Sequence, residues 1–176
     1  FEIEIVFRHF PLHPDTPQEG LALEELFKGR NIDVAAAQSR MSQLMAAEKL
    51  PYGERTMTYN SRLAQELGKW ADTQPGGNKI HDALFQAYFV NNLNLAKIDH
   101  LVALAQGIGL PGEEAKQVLT QRTFRHEVDA DWQRSRSLGI TGVPTFLIGN
   151  QGLVGAQRYE QLAAMVAKVC PVRKDK

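Results

Sequence analysis

The sequence predicts an α/β protein whose strands are confined to its two ends, with helices filling the middle. Three observations carry this. Phe1, Ile3, Ile5 and Phe7 alternate with other residues at the start and read as a strand with one apolar face. From about Glu19 to Leu138, apolar stripes at i, i+3, i+4 and i+7 spacing follow one another with no strand signal between them. Near the other end, Pro144 opens a short β-branched and aromatic run that a two- or three-residue turn folds back into a second strand, and a final helix follows.

Taken in order, the opening strand runs into Phe10-Pro-Leu-His-Pro-Asp-Thr-Pro17, whose prolines demand an extended loop. Leu21, Glu24, Glu25 and Phe27 make a short first helix, stopped near Gly29. Asn31 or Asp33 caps the next, with Val34, Ala37, Met41, Leu44 and Met45 on one face. Pro51-Tyr-Gly53 breaks the chain before a helix that Asn60 caps, carrying Leu63, Leu67, Trp70 and Ala71. Pro75-Gly-Gly-Asn78 is a loop. Ile80, Ala83, Leu84, Ala87 and Tyr88 form a further stripe. Ile98, Leu101, Val102, Ala105 and Ile108 form another, which Gly109 stops. Pro111 suits the first turn of a helix using Ala115, Val118 and Leu119. Val128, Asp131, Trp132 and Ser135 mark the last helix before Leu138.

Bulk properties narrow the function classes. The chain has 176 residues and a formal net charge of zero, with 20 residues of each sign, so electrostatics make no case for nucleic acid or an anionic membrane. No apolar run is long enough to span a bilayer. The single cysteine, Cys170, excludes an internal disulfide and a cysteine-rich zinc site, and its setting beside Val169 suits an inert thiol. His9 and His13 are four apart, but no Asp, Glu or Cys cluster completes a metal site. His81, His100 and His126 read as surface residues among charged neighbours. The mixed charges from Arg122 to Arg136 read as a solvated helical face. Trp70, Trp132, Tyr88 and Phe89 read as core. Gly149, Gly152 and Gly155 are hairpin chemistry, because no strand-to-helix turn places them as a nucleotide loop.

Several words in this order resemble the DsbA-like branch of the thioredoxin superfamily. They are Phe7-Arg-His-Phe-Pro-Leu-His-Pro-Asp15 with Glu19-Gly20, Tyr59-Asn-Ser-Arg62, Ala83-Leu-Phe-Gln-Ala-Tyr-Phe89, Gly142-Val-Pro-Thr-Phe146 and Gly155-Ala-Gln157. Within that branch they look most like FrnE-like proteins, grouped with 2-hydroxychromene-2-carboxylate isomerases and kappa-class glutathione transferases. The resemblance implies a thioredoxin-like fold with a large all-helical insertion: residues 1–18 and 139–176 form a partial core, and residues 19–138 the insertion. It also implies that a first strand, and a helix bearing Cys-x-x-Cys, precede Phe1. A parallel β-α-β unit takes about 30 residues, so we expect roughly 25–40 residues upstream. Without that strand, these 176 residues alone are expected to be unstable, domain-swapped or aggregation-prone.

The function implied is thiol–disulfide exchange through that upstream cysteine pair, with a thiol- or disulfide-bearing protein or small molecule as partner. No cofactor is implied beyond the redox-active disulfide. A homodimer stays open, and a cytoplasmic location is expected. By resemblance, Val143 and Pro144 form a cis-proline loop whose backbone receives an extended substrate, with Thr141 beside them. His13 is a candidate to line the cleft, and Asn60, first an N-cap, a candidate to face it. No catalytic nucleophile lies in the chain itself. The alternatives are a glutathione-dependent isomerase or kappa-class-like transferase, with a Ser in place of the first Cys and glutathione as cofactor, and a non-catalytic binding module.

Overall fold

The structure, a computed structural model, describes residues 2–170. Its contacts divide the chain into two compact units, residues 13–128 and residues 1–12 with 129–176. Most of the helices, and nearly all the buried apolar surface, belong to the first.

In that helical unit, β1 (Leu21–Ala22), α1 (Leu23–Leu26), α2 (Val34–Ala47), β2 (Met57–Thr58), α3 (Arg62–Ala71), α4 (Lys79–Phe89), α5 (Ile98–Gly107) and α6 (Gly112–Gln121) follow in order. The helix α7 (Arg125–Ser137) begins here and ends in the other unit. The periodic stripes explain the core. Leu67, Trp70 and Ala71 of α3, Ile80 and Ala87 of α4, Leu101 and Ala105 of α5, and Ala115, Val118 and Leu119 of α6 form one buried cluster. Local chemistry sets the ends: Asp33 accepts from the Ala36 N–H at 2.9 Å and starts α2. Past the end of α5, Gly109 turns the chain at a φ of +88°, a region in which side-chain-bearing residues are strained.

The helical insertion is present, and it carries one short ladder that the sequence did not signal. Leu21 pairs with Thr58 and Ala22 with Met57 in a two-residue antiparallel ladder. Two residues cannot show an alternating pattern, so periodicity had no means of revealing it. The ladder is tied in from behind, since the Thr58 hydroxyl meets the Tyr88 hydroxyl at 2.9 Å.

The other unit holds β3 (Thr145–Ile148), β4 (Gln151–Val154) and α8 (Tyr159–Val169). β3 and β4 pair antiparallel from Thr145↔Val154 to Ile148↔Gln151, leaving a two-residue turn. Gly149 occupies that turn at a φ of +55°, which the hairpin's twist requires and glycine supplies without steric cost.

The opening strand is not formed. Residues 2–10 join no β-ladder among the described residues, and Ile3 and Ile5 are 51% and 73% exposed. Phe1, the first of the alternating set, lies outside the described residues. An alternating pattern selects a face, but a strand exists only where a neighbour accepts its backbone bonds. What holds the end of this segment is a side chain. Asp131, midway along α7, accepts the His9 N–H at 3.0 Å and the Arg8 guanidinium at 3.1 Å.

Candidate functional site

The loop before β3 is fixed by its own hydrogen bonds. The Thr145 hydroxyl donates to the Gly142 carbonyl at 2.7 Å, and the Gly155 N–H donates to the Pro144 carbonyl at 2.8 Å. The Val143–Pro144 peptide is cis. Between these anchors, the Val143 N–H and carbonyl take no hydrogen bond among the described residues. Its side chain is 48% exposed, and Thr141 and Pro144 are exposed as well. Chemically, the arrangement leaves one residue's donor and acceptor unbonded beside two bonded carbonyls among the described residues. The outer edge of β3, the side away from β4, has no strand beside it among the described residues.

His13 and Asn60 belong to the helical unit. Asn60 gives both amide hydrogens to backbone, to the Pro14 carbonyl at 3.1 Å and the Thr16 carbonyl at 2.8 Å. Its Oδ1 accepts the Arg62 N–H at 2.9 Å. Its hydrogen-bonding capacity is thus spent on main chain. The residue immediately before α3 is Ser61, which makes no side-chain cap, so Asn60 works one position earlier than an N-cap and ties the loop to the helix start. That loop carries His13, whose carbonyl accepts from the Thr16 hydroxyl at 3.0 Å. Burial, and after it the positive charge of Arg30, hold the His13 imidazole below its usual 6.5. Neutral pH therefore finds it uncharged.

Sequence reading missed the charge centre of the helical unit. Glu66 is fully buried on α3, among residues whose spacing suggested only an apolar stripe. Arg62 donates to it at 2.7 Å, and Arg122 donates to both of its oxygens at 2.7 Å. Burial alone would raise this carboxyl, but the hydrogen bonds from Arg122 and Arg62 outweigh it and hold the group below 4.5. Arg122 therefore does more than line a solvated face: at a φ of +57° just past α6, and with its side chain still 40% exposed, it reaches the buried Glu66 carboxylate. The i, i+4 spacing of Arg62 and Glu66 was the available signal, and the 56-residue separation of Arg122 from Glu66 hid the rest. His81 and His100 also depart from the surface reading. His81 meets Asp72 at 2.7 Å with its side chain 12% exposed, and His100 meets the Asn94 carbonyl at 2.9 Å. Among the described residues no cluster of His, Cys, Asp or Glu could hold a metal ion, and no helix is long and apolar enough to cross a membrane.

With this geometry in view, comparison with known proteins is decisive on one point. The profile of the DSBA-like thioredoxin domain matches residues 1–167. The chain belongs to the DSBA-like thioredoxin domain family. A probable DsbA oxidoreductase of Streptomyces coelicolor superposes with a TM-score of 0.86 at 27% identity, covering 98% of this chain and 78% of that one. A putative protein disulfide isomerase of Nitrosomonas europaea superposes with a TM-score of 0.62 at 17% identity, over 85% of this chain and 76% of its own, and shares the fold. YwbO, an uncharacterized protein of Bacillus subtilis, is 36% identical over 100 residues, 53% of this chain and 48% of YwbO. The chain spans about half the length of that curated relative. This DSBA-like chain thus has a thioredoxin-like fold with helices and few strands, and the Gly142–Phe146 loop and the helical middle sit within the matched region.

Proposed function

We propose that the protein containing this chain catalyses thiol–disulfide exchange of the DsbA type, in its FrnE-like form, through a Cys-x-x-Cys upstream of Phe1. The observation that carries this reading is the Val143 backbone. Its N–H and carbonyl are left open between the bonded Gly142 and Pro144 carbonyls, within a chain of the DSBA-like family. An extended segment flanking a substrate cysteine would pair with those two groups, which orients its sulfur for in-line attack. A thiolate at a helix N-terminus attacks one sulfur of the substrate disulfide, forming a mixed disulfide and releasing the other sulfur as thiolate. The second cysteine then attacks the mixed disulfide, so the enzyme pair is oxidised as the substrate is reduced; the reverse sequence oxidises a dithiol.

In this reading Pro144 and Thr141 shape the loop beside Val143. His13 and Asn60 enter as a fixed segment of their own unit, Asn60 positioning the loop that carries His13. The partners are thiol- or disulfide-bearing proteins or small molecules in the cytoplasm, and no cofactor beyond the cysteine pair is required.

The test uses the full-length protein. A Cys→Ser change at the second cysteine should trap a mixed disulfide with a cysteine-containing peptide, and the trapped peptide should protect the Val143 amide from hydrogen exchange. Pro144→Ala should slow exchange by about tenfold, as a less ordered docking loop predicts. A lone Ser in place of the cysteine pair, or exchange kinetics unaltered in the Pro144 variant, would overturn the proposal; the former points to glutathione-dependent chemistry.

A further inference from the structure

We propose that α2 is a homotypic docking face, on which a second copy of this chain lies antiparallel about a two-fold axis at Leu44. The helix is unlike its neighbours in the same unit. α3 to α6 each bury residues in the core, whereas α2 buries none over its 14 residues. A helix of that length draws little stability from its backbone alone and ordinarily needs an apolar face covered. Val34, Gln38 and Met45 are half-buried against the unit, but the adjoining face is open, with Met41 45% and Leu44 54% exposed.

Charge selects the occupant. Arg40, Leu44 and Glu48 are spaced at i, i+4 and i+8, so they lie along one face with the leucine between opposite charges. Neither Arg40 nor Glu48 has an ion-pair partner within the chain among the described residues, and both are exposed. An antiparallel copy centred on Leu44 brings Arg40 level with Glu48 of the copy, and Glu48 level with its Arg40. Each charge stands about 6 Å from the axis along the helix, four residues at 1.5 Å each. A parallel copy would instead set Arg40 against Arg40 and Glu48 against Glu48. The face is self-complementary in only one sense, which is the requirement of an isologous contact. At the same register Met41 falls opposite Ala47, a large residue against a small one, so the two helices can approach closely.

Size sets the strength. A helix of this length is about 21 Å long and about 10 Å across, so the face falls well short of the roughly 800 Å² per partner of standard interfaces. The dimer is therefore reversible and concentration-dependent.

Sedimentation velocity on the full-length protein, with Cys170 replaced by Ser and reductant present, between about 5 and about 500 μM tests this. A monomer–dimer equilibrium is expected. Leu44→Glu should abolish it, Arg40→Glu should weaken it at least tenfold, and Arg40→Glu combined with Glu48→Arg should restore it. Leu44→Cys, with Cys170 and any upstream cysteines replaced by Ser, should cross-link to itself on oxidation, because a residue on the axis meets its own copy. Arg40, Leu44 and Glu48 are exposed, and an unchanged thermal melt confirms folding in each variant. A monomer at every concentration, or a dimer indifferent to Leu44→Glu, or a double charge reversal no better than the single one, would overturn the proposal and leave the face to a different partner.

Discussion

Glu66 shows how one residue can organise a unit without leaving a conspicuous mark in sequence. A carboxylate at zero exposure is tolerated because Arg62 and Arg122 satisfy it, and removing its charge takes from both guanidinium groups the anion they share. Breaking a fully buried pair costs about 3–5 kcal/mol; with the Arg122 side chain 40% exposed, we expect about 2–3 kcal/mol for Glu66→Gln. The pH dependence has a definite sign. The folded-state carboxyl titrates below its ordinary 4.5, so its contribution is fully present above that value and is lost as pH falls through the lowered one. Urea unfolding of the wild type and of Glu66→Gln should differ by a constant amount near neutrality, and the gap should close in acid. A gap that persists at the lowest pH would mean that the charge is not what Glu66 contributes. The other buried carboxylate described above, Asp131, works by a different route, holding the Arg8–His9 segment by two bonds.

At the scale of elements, α3 and α2 share the same periodic pattern and meet different fates. Leu67 of α3 is fully buried, so Leu67→Ala should cost about 2–5 kcal/mol by lost burial and the cavity left behind. Met41 of α2 is 45% exposed, so Met41→Ala, measured at low protein concentration, should change stability by less than about 0.5 kcal/mol. Denaturant midpoints of the two variants check both. Equal effects would show that α2 packs more tightly than its exposure indicates. The helix ends were largely legible: Asp33 and Gly109 act where their chemistry places them, and Pro111 falls at the N-cap of α6, one residue before the first turn expected of it. Asn60 was legible as a residue that satisfies backbone, but its partners at Pro14 and Thr16 lie 46 and 44 residues away, beyond any local rule.

Over the whole chain, apolar burial is unevenly shared. Met165 is the one buried hydrophobic residue of the unit formed by residues 1–12 and 129–176, counted among the described residues, and the core cluster from Ala64 to Leu119 lies wholly in the helical unit. Local opening scales with the burial that opposes it. Hydrogen exchange on the 176-residue chain should therefore find α3, α5 and α6 most protected, with the β3–β4 hairpin exchanging at least about 100-fold faster. Uniform protection would overturn that ranking. The sequence by itself determined the helices of the middle, the hairpin after Pro144 and the loop of Val143, because periodicity, proline and glycine act through neighbours a few residues apart. Only the tertiary structure decided that residues 2–10 form no ladder, that β1 finds β2, and that Glu66 meets Arg122. Each of those depends on a partner distant in the chain, and hydrogen bonds and ion pairs are set by where that partner comes to lie.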